Sequence, residues 1–329
     1  MARAEVVRRR RRRRAARAAA GVVLAAWAIA PAAVRAQSLA YTGALQGSTG
    51  EYIFTERSFS LALYNGLSLS LGRLRLSASL PVVLQNTPWV TLGGTGPVPT
   101  GGPQHEMTGE QMGGGGMGEG GQGRRGGSVV LPDTGGYDEV GVGDPMLFAS
   151  IELFGDRGSR PAVAITGAVK APVADAAQGF GTGEWDYSAG FSLSKSVGRA
   201  LLFLDGSYWM LGDMSGLPLR DVFSYGVSLG VPFGRGGGGA GASWSAIVSF
   251  SGSQAAIAGS DAPAEAGVLV SRLSPSGRSL AAGVSLGLTR SSPDVSAMIG
   301  WRVPLWSREA PIAALRTPYD NEVNRSVER

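Results

Sequence analysis

The pentapeptide Gly-Val-Ser-Leu-Gly occurs twice, at 226–230 and 283–287, and each copy matches the Gly-x-Ser-x-Gly elbow of serine hydrolases. That elbow works by holding its serine on a tight strand-to-helix turn within reach of a histidine base. Ser228 and Ser285 instead sit midway along alternating apolar and small residues, and the chain's one histidine, His105, is far from both in sequence. These serines are read as strand residues and the chain as no enzyme. His105 lies in TGGPQHEMTGEQMGGGGMGEGGQGRRGG (100–127), beside Glu106, Met107, Glu110, Met112 and Met117. Thioether and imidazole groups suit copper, whereas the composition as a whole predicts a disordered glycine-rich loop. Neither a metal nor any other cofactor is assigned.

A second set of candidates is charged. Arg73, Arg75, Asp144, Glu152, Lys170, Glu184, Asp186, Asp205, Asp221 and Arg302 fall among serines, glycines and alanines, in phase opposite to the large apolar residues. Charges lining a lumen set the field felt by a permeating solute. The competing reading is that they pair and fill a closed interior, because charges persist in a low dielectric mainly when paired. Lys170 with Glu184 or Asp186 is the best pair: spanning the lumen it would gate, and joining neighbouring strands it would stabilise.

The elements that carry these residues show a period of two. From Glu184 to Ser196 the even positions read Glu, Asp, Ser, Gly, Ser, Ser, Ser, while Trp185, Tyr187, Ala189, Phe191 and Leu193 occupy the odd ones, interrupted by Lys195. The pattern recurs at Leu74, Leu76, Ala78, Leu80, Val82 and Leu84, and at Val295, Ala297, Ile299, Trp301, Val303 and Leu305. Successive side chains of a strand point to opposite faces, so each segment is a strand with one apolar face. Twelve strands are expected, near 40–48, 58–71, 73–86, 139–154, 161–173, 184–197, 199–212, 219–232, 241–253, 263–274, 279–290 and 294–306. Turn-like connections such as LGR and SVGR alternate with longer ones, the longest at 87–138.

The solvent of the apolar faces follows from magnitude. Exposing roughly sixty side chains to water at about 1.5–3 kcal/mol each would cost on the order of 100 kcal/mol, against net domain stabilities of about 5–15 kcal/mol. The faces must meet lipid or one another. An even strand number, loops sorted by length, and small residues opposite the apolar ones suit a closed barrel in a membrane better than a sandwich, whose water face is richer in long polar side chains. Closure is required in hydrocarbon, where every backbone amide needs a partner.

Residues 1–36 hold ten arginines and one acid, so the net charge of +5 becomes −4 over the remainder. Their apolar stretch Ala18–Val34, followed by Arg35-Ala36, has the form of a secretory signal peptide; a retained anchor and a nucleic-acid arm are the alternatives. With the charge confined there and no stacking aromatics beside basic residues downstream, no nucleic acid is expected as a partner. There is no cysteine, so an exported fold must hold together by packing and backbone hydrogen bonds.

The segments VGVGDPMLFASIELF (140–154), PAVAITGAVKAPVADAAQGFGTGEWDYSAGFSLSKSVG (161–198) and LLFLDGSYWMLGD (201–213) resemble an outer-membrane transporter family associated with the meta-pathway of phenol degradation. Its motifs are matched by Gly141, Gly143 and Asp144, by Lys170 and Pro172, by Gly181, Thr182 and Gly183, and by Asp186; GRLRLSASLPVVLQN (72–86) is similar to its second hairpin. The resemblance implies an all-β, transmembrane, antiparallel up-and-down barrel that passes small hydrophobic or aromatic compounds. The long glycine-rich segment and the polar tail at 307–329 depart from the family pattern. The expectation is thus a signal peptide at 1–36, a bacterial outer-membrane barrel at 37–306 with 87–138 as an external loop, and a tail. Outer-membrane lipid, the barrel-assembly machinery and small hydrophobic solutes are its partners. A closed envelope barrel with a structural or surface-binding role is the alternative.

Overall fold

The computed structural model describes residues 37–54, 57–100, 138–214, 217–233 and 243–307. The leader, His105 with its methionines, and the tail beyond Ser307 lie outside the described residues. The wall comprises β1 (Gln37–Gly50), β2 (Ser58–Leu71), β3 (Leu74–Gln85), β6 (Glu139–Val142), β7 (Met146–Phe154), β8 (Ala162–Lys170), β9 (Asp186–Val197), β10 (Ala200–Met210), β11 (Val222–Phe233), β12 (Ser243–Ser253), β13 (Ala264–Leu273), β14 (Ser279–Gly287) and β15 (Val295–Ser307). Each strand pairs antiparallel with its neighbours in sequence, and β1 pairs with β15, so the sheet closes on itself. Both β6 and β7 pair with β3, making them two halves of one broken strand and the wall twelve-stranded.

The apolar positions take the outer face. Phe59, Leu63, Leu67, Phe191, Val248, Val284 and Ile299 are all exposed, as side chains meant for acyl chains are. Asn65 is a polar residue on this face, and Tyr41 satisfies it by donating from its hydroxyl to Oδ1 at 2.8 Å. Facing inward, serines hydrogen-bond across strand pairs: Ser48 with Ser60 at 2.8 Å, Ser207 with Ser224 at 2.8 Å and Ser245 with Ser271 at 2.7 Å. A serine stripe therefore lines the interior without orphaned hydroxyls at these pairs. Stacked sheets, the sandwich alternative, are absent among the described residues.

Two features depart from the sequence expectation. The strand expected over 139–154 breaks at Gly143-Asp144-Pro145, where proline supplies no amide and Asp144 turns inward. Within 87–138 the described residues contain a small hairpin, β4 (Thr91–Gly93) and β5 (Gly96–Val98). Its Thr91, Val98 and the following Thr100 are buried, so this part of the segment folds into the barrel mouth.

Candidate functional site

Lys170 ends β8 with its side chain inward, directly opposite Asp186, the first residue of β9. Its Nζ donates to Asp144 Oδ2 at 2.8 Å and to Thr182 Oγ1 at 2.5 Å, and lies 3.3 Å from Asp186 Oδ2. All three ionic side chains are at most 2% exposed. Two carboxylates around one ammonium leave a formal charge of −1, and backbone amides satisfy the remaining oxygens. Asp144 Oδ1 accepts from Val173 and Ala174, each at 2.9 Å. Asp186 accepts from Gly94 at 2.9 Å and from Gly212 at 3.0 Å.

Those four amides belong to three different loops. Gly94 is in the turn of the β4–β5 hairpin, Val173 and Ala174 follow β8, and Gly212 follows β10. The cluster therefore pins the loop end of the barrel to its wall. The hairpin turn also leans on Trp209: a Cβ at Gly94 would stand 2.5 Å from that indole ring. Val98 packs with Trp209, Leu211, Met214, Leu217, Leu219, Val222 and Ile257 in one buried apolar cluster. On the opposite side Phe180, 2% exposed, covers Gly141 and packs with Ala62 and Val83.

The other charged residues do not join this cluster. Glu184 precedes β9 and packs its Cβ against Gly212, so the alternative pair of Lys170 with Glu184 is replaced by Asp144 and Asp186. Arg73 occupies the β2–β3 turn, not the inner face, and its Nη1 donates to the Leu153 carbonyl at 3.4 Å. Asp221 lies on the side of the outward-facing Tyr208, whose hydroxyl donates to it at 3.3 Å. Arg75, Glu152, Asp205 and Arg302 do face inward, on β3, β7, β10 and β15, and among the described residues they form no ion pair with one another. Arg75 and Glu152 stand toward the short-turn end. The Arg302 Nε is buried without a partner.

Glu265 escapes the sequence reading. It faces inward on β13, opposite Gly287, and accepts from Ser285 Oγ at 2.9 Å. Its strand alternates alanine with glutamate and glycine, so its two faces differ little in size; the register against β14 alone assigns the carboxylate to the interior. The inner wall also carries Phe148, Leu201, Phe203, Ile247, Leu269 and Met298 between its serines and glycines.

No protein-family model and no curated protein matches this chain. Among solved structures, an outer membrane channel from Pseudomonas putida F1 aligns over 82% of this chain and 95% of its own, with a TM-score of 0.50 and 14% identity. The chain folds as an outer-membrane β-barrel. The β domain of the Bordetella autotransporter BrkA aligns more loosely, over 81% of this chain and 98% of its own, at a TM-score of 0.39 and 10% identity. At these identities the likeness concerns the fold.

Proposed function

We propose that this barrel is a passive outer-membrane channel for small hydrophobic or aromatic compounds. The supporting observation is the state of two inward rings: Phe148 and Phe203 are 40% and 36% exposed although they point away from lipid. In a packed interior large apolar side chains lose nearly all their exposure. Here the rings border free space, and with Leu201, Ile247, Leu269 and Met298 they give a lumen wall that an apolar solute wets better than a sugar does. With no nucleotide-binding motif in the sequence, the driving force is the solute's own gradient. The resemblance of 140–213 to the phenol meta-pathway transporters favours aromatic cargo, and the leader at 1–36 would deliver the chain across the inner membrane to the assembly machinery.

The second reading, a closed barrel with a structural or surface-binding role, is favoured by the hairpin in the mouth and the ion cluster that holds it. Reconstitution separates the two. Liposomes carrying the full chain are expected to take up phenol or toluene faster than protein-free liposomes, with glucose and arabinose uptake slower than that of the aromatic solutes relative to the same controls. Equal rates with and without protein for every solute would leave the closed barrel.

A further inference from the structure

Between the hairpin tip, the β12–β13 loop and the β14–β15 loop lies a small cleft open to solvent. Its walls are apolar or rigid, with Pro97, Ile257 and Pro263 among them, and its acids are Asp261 and Glu265. Among the described residues no lysine or arginine lines it. Glu265 belongs both to the cleft and to the inner face of the wall.

Two polar groups here have room for a further partner. The Glu265 carboxylate is half-buried and receives a single side-chain hydrogen bond, from Ser285, with no ion pair among the described residues. Ser291 is 3% exposed, lines the same cleft, and its Oγ has no hydrogen-bond partner. A buried hydroxyl without a partner is costly to the fold. Folded chains rarely keep such groups without a use for them.

We infer that this cleft is the outer binding site of the channel, and that it takes a small molecule with an apolar body and an ammonium head. The ammonium would pair with Glu265, with Asp261 adding to the field; Ser291 offers an acceptor to one of its protons. Pro97, Ala256 and Pro263 offer the surface against which the body packs. A carboxylate-bearing solute would meet two like charges and, among the described lining residues, no cation. This deepens the channel reading and rests on it for its role in transport, but binding is measurable without permeation.

The test uses the full chain in detergent micelles and titration calorimetry with phenethylammonium, its neutral isostere phenethyl alcohol, and phenylpropionate. Saturable binding of the ammonium, at least tenfold tighter than the alcohol and with no detectable binding of the carboxylate, is expected. Glu265→Gln should weaken ammonium binding more than tenfold, whereas Glu152→Gln, at the other end of the lumen, should leave it unchanged. Ser291→Ala removes no hydrogen bond of the fold and should weaken binding several-fold, which keeps the inference testable if the Glu265 variant does not fold. Equal affinity for ammonium and alcohol, or binding indifferent to both cleft variants, overturns it. Binding as expected in a barrel that passes no solute would keep the site and remove the channel reading; permeation without ammonium preference would do the reverse.

Discussion

Replacing Lys170 with methionine removes the one cation between Asp144 and Asp186 while keeping the length of the side chain. Both carboxylates are at most 2% exposed, so neither gains water to replace the lost ammonium. Breaking a buried pair on one side costs about 3–5 kcal/mol, a large share of a barrel stable by about 5–15 kcal/mol. The same substitution at Lys195 is the control. Its Asp156 partner is also close, at 2.5 Å, but both side chains are 24% exposed, and such pairs contribute about 0–1 kcal/mol. Urea unfolding in micelles, followed by the fluorescence of the buried Trp89 and Trp209, reads both. A triple variant, Asp144→Asn with Lys170→Met and Asp186→Asn, leaves no orphaned charge and should lose less stability than Lys170→Met alone. If Lys170→Met and Lys195→Met cost the same, within about 1 kcal/mol, depth of burial does not decide the cost of losing the cation.

Gly94→Val would drive a methyl into Trp209 and against the Asp186 Cβ, displacing the hairpin from the mouth without replacing a wall-strand residue; single-channel conductance should rise several-fold over the unmodified barrel. Asp156, in the β7–β8 turn, is held down to about 2 by the hydrogen bond from Lys195 and the amide of Ser196. A depressed carboxyl stabilises above its unfolded value and loses that contribution as pH falls through the folded one, so stability should decline between about pH 4 and pH 2, and Asp156→Asn should flatten that part of the curve. Neutralising Arg75 and Glu152 separately should shift the reversal potential under a salt gradient in opposite directions, because both face the lumen at the short-turn end; identical shifts would place one of them outside the conduction path. Phe203→Ala should slow uptake of aromatic solutes at least twofold while leaving that of small sugars unslowed.

The wall was legible because a barrel imposes a period of two on every strand, and the residues obey it: Phe191 and Leu193 face out while Ser192 and Ser194 face in. The Lys170–Asp186 contact was legible for the same reason, since both are inward residues at adjoining strand ends. Asp144 was placed inward, but its role as partner was not readable, because it depends on Pro145 breaking the strand so that the carboxylate turns toward Lys170. The β4–β5 hairpin leaves no periodic trace: its strands are three residues each and rich in glycine and proline. What holds it, the Gly94 amide on Asp186 and a glycine that makes room for Trp209, is tertiary contact with no local pattern.

The ladder between β1 and β15 sets Ser38 beside Ser307 and Thr49 beside Val295, whereas the other wall pairings join strands that follow one another along the chain. Hairpins can therefore zip in order as the polypeptide arrives, but the seam waits for the final strand. Until then the growing sheet carries two bare rims of amides and carbonyls, each able to recruit a foreign strand. A chain halted before Val295 would be a ribbon with sticky borders, fit for fibrils or for degradation.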